Sequence, residues 1–214
     1  SEMCIRDRTK ENGSLVFDLL IPETDYEVIG FALDVRGGVV LEKAYYYARV
    51  AEEQINPVKI ALCTTTFLKE DYIIPNIELV KNEVLAADDV IAKNFHMFVI
   101  DNGRTLDAEA LSDEGVTVLP NPNVGGSGGF ARGMMEAMKH DENFTHVLLM
   151  DDDVSISTES LRRTFNLLSL ATGKYKNAFI NGAMLVAEEP NRQFEDVSYV
   201  VNSGAVSYTH LRAH

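Results

Sequence analysis

The sequence predicts an α/β domain with a largely parallel sheet, preceded by the end of an all-β domain. Two observations support this fold class. Strand-like segments follow one another at residues 15–21, 28–35 and 39–50, around the turn signal Arg36-Gly37-Gly38, with Val and Tyr frequent in the later ones. After Pro57, apolar strand-like segments alternate with helical ones, which is typical of a parallel sheet.

The elements of the α/β part follow from this alternation. The predicted strands cover residues 59–67, 95–101, 116–119, 145–151 and 178–186. The predicted helices cover residues 77–87, 106–112, 130–140 and 158–171, the last with Ser157 as its N-cap. A polar stretch at residues 52–57 is the candidate linker, so we expect the all-β part at 9–55 and the α/β part at 56–205.

Both ends of the chain are set apart from this interpretation. Residues 1–8 (SEMCIRDR) and 206–214 (VSYTHLRAH) resemble translated sequencing-adaptor sequence. We therefore expect the chain to be a fragment of a longer protein and neither end to carry function.

The charge of the chain limits its ligands. A formal net charge of −14 with 19 Lys and Arg argues against a nucleic-acid partner. An anionic ligand would need local help from a metal ion, a helix N-terminus or an arginine. No apolar stretch approaches the ~20 residues of a membrane span, so we expect a cytoplasmic protein, with peripheral membrane contact left open.

An acidic cluster is the strongest chemical signal. The predicted strand at 145–151 runs directly into Asp151, Asp152 and Asp153. In an extended segment Asp151 and Asp153 would share one face, and two such oxygen ligands suit Mg²⁺ or Mn²⁺. The alternative is a solvated acidic loop that caps the next helix, although a cap needs only one carboxylate.

A glycine-rich segment between a strand and a helix is the second signal. Residues 125–129 read Gly-Gly-Ser-Gly-Gly, and Arg132 follows in the expected first turn of the helix. Free N–H groups of that turn and the arginine would bind an anion. Phe130, Met134 and Met138 lie at helical spacing and are expected to be core residues.

The same segment supports a rival hypothesis. Residues 126–131 match the G-x-G-x-x-G/A dinucleotide fingerprint, and an acidic strand end follows. Against it, residues 120–125 separate the first fingerprint glycine from the strand. Three carboxylates near a dinucleotide would also be unfavourable without a metal.

Two further strand ends complete the predicted site. Thr65 lies at the end of the first α/β strand and Asp101 at the end of the second. Ligands of open α/β sheets bind outside the carboxyl ends of the strands, where these residues could hydrogen-bond a base and ribose.

Taken together, the motifs from Asn123 to Gly133 and from Asp151 to Asp153 resemble the inverting family-2 glycosyltransferases of GT-A fold. Over residues 58–186 the chain resembles in particular the galactofuranosyltransferases that use UDP-galactofuranose. The resemblance implies a Rossmann-like GT-A domain behind the end of a β-sandwich domain.

The resemblance also implies roles for individual residues. Asp151 and Asp153 would hold Mn²⁺ or Mg²⁺, and Asp152 would lie near the donor sugar. The residues implied to contact uridine or diphosphate are Thr65, Asp101, Asn123, Gly126, Ser127, Gly128 and Arg132. One departure is Phe67-Leu68-Lys69, where the family commonly continues from Thr-Phe into Asn-Arg.

The implied activity is inverting transfer of galactofuranose or a related hexose from a UDP-sugar to a glycan or lipid-linked glycan, in cell-wall polysaccharide synthesis. The family's catalytic base and a histidine ligand lie well downstream of the acidic cluster. We therefore expect both to be missing here and the fragment to be inactive in transfer, with homo-oligomers of the full-length parent left open. The alternatives are a nicotinamide-dependent oxidoreductase and a non-catalytic module that binds nucleotide sugars.

Overall fold

The computed structural model describes residues 9–11, 14–16, 30, 32, 37–38, 40–47, 49–195, 197–200 and 206–209. Its backbone contacts divide the chain into two units, Ser1–Ala48 and Arg49–His214. The β-sandwich assignment of the first unit stays a prediction.

In the first unit, β1 (Thr9–Glu11) pairs antiparallel with β2 (Ser14–Val16). The predicted strand at 39–50 is not formed over its described residues, 40–47 and 49–50. Residue preference alone does not make a strand, since strand stability comes mostly from packing against neighbours. Most of the predicted segments at 15–21 and 28–35 lie outside the described residues.

The second unit contains a four-stranded parallel sheet. Its strands are β3 (Ile60–Thr66), β4 (Phe95–Asp101), β5 (Val116–Pro120) and β6 (His146–Asp151). They lie in the order β5-β4-β3-β6, and each pair is parallel. The α/β class with a parallel sheet is therefore confirmed, and these four strands end within one residue of their predicted limits.

The strand order creates a switch point. From β3 the chain adds β4 and β5 on one side, then returns to place β6 on the other side of β3. The direction of winding thus reverses between β3 and β6. In such sheets the crevice at the carboxyl ends of these two strands is the usual ligand site.

Four α-helices connect and cover the strands. They are α1 (Glu70–Leu79), α2 (Ala108–Leu111), α3 (Gly125–Lys139) and α4 (Thr158–Leu170). A π-helical segment, Val80–Leu85, continues α1, and short 3₁₀ turns lie at Glu52–Gln54, Val90–Asn94 and Gly173–Asn177. The first helix begins at Glu70, well before the predicted residue 77, and contains Pro75, whose φ suits a helix although it provides no N–H donor.

The last predicted strand is mostly wrong. Only Met184–Val186 (β7) of residues 178–186 is extended in a sheet, and it pairs antiparallel with β8 (Glu189–Glu195). Farther on, β9 (Val197–Val200) pairs with β10 (Val206–Thr209). Phe179 is fully exposed, so this apolar segment does not join the parallel sheet.

The core lies on both faces of the sheet. On one face α1, the π-helical segment and α4 pack with the side chains that alternate inward from the strands, among them Ile73, Val80, Phe165, Leu62 and Val99. On the other face α3 packs against a smaller cluster of Ala61, Cys63, Phe98 and Ala137. Burial raises the pKa of the Cys63 thiol to about 12, so this cysteine is a core residue without a nucleophilic role.

The face that α3 buries differs from the predicted one. Gly129, Gly133 and Ala137 are buried, whereas Met138 is 85% exposed. The helix lies so close to β3 that a Cβ atom at Gly129 would overlap the Thr65 hydroxyl and lie 2.6 Å from its Cβ. Close helix–strand contact therefore selects small residues, and the large ones are left at the edge.

Among the residues that the structure describes, no helix has the length and apolar character needed to cross a membrane.

Candidate functional site at the carboxyl edge of the sheet

The switch point brings two predicted site residues side by side. In the parallel register Thr65 of β3 lies opposite Ile100 on one side and opposite Asp151 on the other. Thr65 is half-buried beneath α3, and Asp151 is exposed. The carboxyl ends of β3 and β6 therefore present a hydroxyl and a carboxylate to the same crevice.

The acidic cluster does not stay extended. β6 ends at Asp151, and Asp152 and Asp153 lie in a turn. The geometric reason for pairing Asp151 with Asp153 is therefore wrong, because the two-residue periodicity of a strand ends before Asp153. Their assignment as metal ligands stays a prediction.

The side chain of Lys69 forms ion pairs with the acidic turn. Its ammonium nitrogen is 2.5 Å from Oδ2 of Asp153 and 3.9 Å from Oδ1 of Asp152. The hydrogen bond to Asp153 raises the pKa of Lys69, and it holds the pKa of Asp153 below its usual value. Two carboxylates thus converge on one cation position, which sequence patterns do not reveal because Lys69 lies 84 positions before Asp153.

This arrangement fits a hard divalent cation. The donor atoms of the turn are carboxylate oxygens, which Mg²⁺ and Mn²⁺ prefer. The ammonium of Lys69 lies within 4 Å of two of the carboxylates, so a single cation can approach both. A metal ion that bound to Asp153 would have to displace the ammonium of Lys69.

Asn76 of α1 is hydrogen-bonded to the backbone of the acidic turn. Asn76 is 6% exposed, and its side-chain amide donates to the carbonyl oxygens of Asp152 at 3.3 Å and of Val154 at 2.8 Å. Sequence reasoning missed Asn76, because it belongs to no motif and lies just before the predicted helix at 77–87. Its position facing the carboxyl end of β6 is decided only by packing.

The glycine-rich segment forms the start of a helix. α3 begins at Gly125, whereas the prediction began the helix at Phe130. The N–H of Gly125 donates to the side chain of Asn123 at 3.1 Å, and Gly126 and Ser127 are exposed. Since the first-turn N–H groups of a helix have no partner inside it, this turn offers the donors of an anion site.

The earlier start of α3 moves Arg132 away from that turn. Arg132 is now the eighth residue of the helix, about 10 Å along its axis from Gly125. Its guanidinium pairs with Glu136 at 2.9 Å, one turn farther from the open end. The predicted place of Arg132 in the first turn is therefore wrong, and a contact with diphosphate would require this pair to break.

Asp101 stabilises the loop that follows β4. It is fully buried, and one carboxylate oxygen accepts from the N–H groups of Gly103 and Arg104 at 2.9 and 2.8 Å. Its other oxygen accepts from Leu106 at 2.9 Å. These bonds fold the loop after β4 at the edge of the crevice, while the predicted contact between Asp101 and a nucleotide stays a prediction.

A pair of buried asparagines joins the strand ends to α3. Asn102 donates to the Thr65 hydroxyl and to the Gly125 carbonyl, both at 3.2 Å, and accepts from the Asn121 amide at 2.8 Å. The Asn121 carbonyl accepts from Arg104 at 3.2 Å. Both asparagines directly follow a strand end within the sequence motifs, but neither was assigned a ligand contact or this bridging role.

Comparison with known proteins agrees with this architecture. A family model described as glycosyltransferase-like family 2 matches residues 84–202, which include the start of α3 and the acidic turn. Galactofuranosyltransferase GlfT2 of Mycolicibacterium smegmatis is 30% identical over 119 residues, which are 55% of this chain and 17% of that protein. GlfT2 of Mycobacterium tuberculosis is 35% identical over 78 residues, 36% of this chain and 11% of that protein.

The chain therefore spans less than a fifth of the length of these curated relatives. The family model, by contrast, covers more than half of the chain and contains the helix start and the acidic turn at the switch point of the sheet. The chain belongs to glycosyltransferase-like family 2, and within it the chain is similar to the galactofuranosyltransferases.

Proposed function

We propose that this chain forms the donor-binding part of a glycosyltransferase that uses a UDP-sugar and a divalent metal ion. The observation that carries the proposal is the pairing of an open helix N-terminus with an acidic turn at the switch point of the sheet. One element suits phosphate oxygens and the other suits a cation. A nucleotide diphosphate with its metal ion requires both.

Different residues would bind the diphosphate, the nucleoside and the metal ion. The N–H groups of Gly126, Ser127 and Gly128 in the first turn of α3 would donate to the diphosphate, assisted by the positive end of the helix dipole. The hydroxyl of Thr65 and the side chain of Asn123 lie beside that turn and would orient the nucleoside. Asp151 to Asp153 would hold Mn²⁺ or Mg²⁺, and Asp152 would lie toward the donor sugar.

When bound, the divalent ion would neutralise the charge that develops on the UDP leaving group. The chain's own residues would hold the diphosphate and keep the anomeric carbon open to an acceptor hydroxyl. Transfer with inversion also requires a carboxylate base. Glu188 and Glu189 are exposed, and Glu189 pairs with Arg192 at 3.2 Å, so neither is assigned that role.

The similarity to galactofuranosyltransferases supports galactofuranose, or a related hexose, as the donor sugar. A growing glycan or lipid-linked glycan in cell-wall polysaccharide synthesis is the corresponding acceptor, at the cytoplasmic side of the plasma membrane. A non-catalytic module that binds nucleotide sugars is the second candidate, favoured if no base completes the site. The dinucleotide fingerprint fits less well, since β5 ends at Pro120 and Gly126 already lies inside α3.

We expect UDP to bind this chain more tightly with Mn²⁺ than with EDTA, and we expect Asp153→Asn to remove that difference. The physical reason is that Asp153 faces the cation position that Lys69 now fills. Loss of one oxygen ligand should lower the metal-dependent affinity at least about tenfold. Isothermal titration of UDP with and without Mn²⁺ measures the effect.

Asp141→Asn is the matched control, because it removes a carboxylate beyond the opposite end of α3 with the same change of charge. It should leave the Mn²⁺ effect within twofold. Equal UDP affinity of the wild-type chain in Mn²⁺ and in EDTA would contradict the proposal, and so would an unchanged Mn²⁺ effect in Asp153→Asn.

We expect Lys69→Met to raise the affinity for Mn²⁺ alone by about two- to fivefold, the scale of one exposed ion pair. The ammonium of Lys69 competes with a metal ion for Asp153, so its removal frees the carboxylate. Lys139→Met, which removes a charge beside Glu136 at 3.4 Å, is the control and should change nothing. Weaker Mn²⁺ binding in Lys69→Met would show that Lys69 orders the turn instead of competing for it.

A further inference from the structure

Two histidines and a glutamate face one another at the opposite end of the sheet. Nδ1 of His96 and Nδ1 of His140 each lie 4.0 Å from the same oxygen, Oε1 of Glu142. The ligand atoms of the three residues all lie within 4.8 Å of one another. These distances are too long for hydrogen bonds, so the three groups surround a common point without bonding to each other.

The nitrogen of His96 at this point is buried and has no partner. His96 is only 2% exposed, and its Nδ1, like that of His140, has no hydrogen-bond partner among the residues described. Buried polar atoms without a partner are rare and costly. The unpaired nitrogens of both rings therefore need an explanation, and a bound cation would provide one.

The second nitrogen of His96 is already fixed. Its Nε2 lies 2.8 Å from the hydroxyl of Thr117 on the neighbouring strand β5. When Nε2–H donates to that hydroxyl, Nδ1 carries the free lone pair. Histidines that bind a metal are typically held in this way through their other nitrogen.

Aromatic rings line one side of the three groups, and a lysine orients the carboxylate. The ring centroids of Phe98 and Phe144 lie 4.5 and 6.0 Å from that of His96, and His140 lies 4.9 Å from it. Lys59 lies 3.8 Å from Oε2 of Glu142, which leaves Oε1 directed toward the histidines. The aromatic side lowers the polarity around His96, while His140 and Glu142, each about one-third exposed, leave room for a water ligand.

We infer that His96, His140 and Glu142 form a binding site for a borderline divalent cation such as Zn²⁺, separate from the carboxyl-edge site. Two imidazole nitrogens and one carboxylate oxygen are typical zinc ligands, with water as the fourth. Tetrahedral zinc ligands lie about 3.4 Å apart, so the two 4.0 Å separations from Glu142 would have to close by about 0.6 Å. The separation between the two histidine nitrogens, at most 4.8 Å, would have to close by up to about 1.4 Å.

The position of the site indicates what the ion does. His96 belongs to the amino end of β4, about 16 Å along the strand from Asp101. His140 follows the last residue of α3, and Glu142 lies in the turn after it. The ion joins the end of α3 to the sheet and is structural, holding in place the helix whose first turn lies at the other edge.

The test measures binding of Zn²⁺ or Co²⁺ to the tag-free 214-residue chain. Excess Mg²⁺ is present to occupy sites made of oxygen ligands alone, such as the acidic turn. We expect one equivalent of Co²⁺ to give the intense visible absorption of a tetrahedral site, and Zn²⁺ to raise the melting temperature and abolish that absorption. His140→Ala and Glu142→Gln should each weaken Zn²⁺ binding by about 10- to 100-fold. Both side chains are about one-third exposed, so these variants should fold.

Two control variants test whether the effect is local. Asp141→Asn removes the adjacent carboxylate, and His146→Ala removes a histidine paired in register with Ile60, whose side chain lies in the core of the other face. Both should bind Zn²⁺ within twofold of the wild-type chain. Absence of Zn²⁺ binding, or binding that is equally strong in His140→Ala and Glu142→Gln, would overturn the inference and leave an aromatic packing cluster.

Discussion

Gly129→Ala is expected to destabilise the α/β unit by about 3 kcal/mol or more and to lower its melting temperature by about 6 to 12 °C. A Cβ atom at this position would overlap the hydroxyl oxygen of Thr65 and lie 2.6 Å from its Cβ. Both groups belong to regular elements, so the helix has to move away from β3. Thermal and urea denaturation of the purified variant measure the loss.

The glycines of α3 provide graded controls for this result. A Cβ at Gly126 meets nothing within 4 Å, whereas one at Gly133 lies 3.0 Å from the Cβ of Cys63. Gly126→Ala should therefore be neutral or stabilising by up to about 1 kcal/mol through helix propensity. Gly133→Ala should fall between the other two, and a different order would show that α3 does not pack on β3 as described.

Gly129→Ala should also weaken UDP binding, because movement of α3 shifts its first turn away from Thr65 and Asn102. Its effect on UDP should exceed that of Gly133→Ala at a temperature where both variants are folded. Unchanged UDP affinity in a folded Gly129→Ala variant would separate the helix start from the donor site.

Asp101→Asn is expected to cost about 3 kcal/mol, on the scale of hydrogen bonds to a charged group. The fully buried carboxylate accepts from three backbone N–H groups, those of Gly103, Arg104 and Leu106. An asparagine has only one acceptor oxygen, so its amide nitrogen would face at least one N–H donor. The melting temperature should fall by about 6 to 12 °C, measured by circular dichroism.

Asp107→Asn is the matched control for this change. Asp107 is exposed and caps α2 by accepting from Ala110 at 3.0 Å, a role that asparagine fills equally well. Its free energy of unfolding should change by less than about 0.5 kcal/mol. If Asp101→Asn were as mild as Asp107→Asn, the loop after β4 would not depend on the buried carboxylate.

The strands of the sheet were predictable because their signal is local. β4 was predicted from end to end, and β3, β5 and β6 to within one residue at each end. Parallel strands of such a sheet are short apolar runs with polar residues at their ends, and both features are visible in the local sequence. The segment at 178–186 has the same local signal, yet it does not join the parallel sheet. Its only strand is β7, which lies in a separate two-stranded sheet.

The chemistry of the site was predictable only as a set of motifs. The glycine-rich segment and the three aspartates identified the family before any geometry was known, and the family match now includes both. Residue patterns did not indicate that Gly125 begins the helix, that Asp152 and Asp153 leave the strand, or that Arg132 pairs with Glu136. Each of these depends on where a helix or strand ends, and element ends are decided by neighbours far away in the chain.

By itself, the sequence determined the α/β class, the parallel strands and the residue types gathered at their carboxyl ends. Tertiary structure alone decided which side chains meet. Lys69, the residue before α1, and Asn76, within α1, both contact the acidic turn. His96 lies near His140 and Glu142, which are 44 and 46 positions later in the chain. Local residue patterns encode the period of an element and the face it buries, but contacts between elements depend on how the whole sheet is ordered and covered.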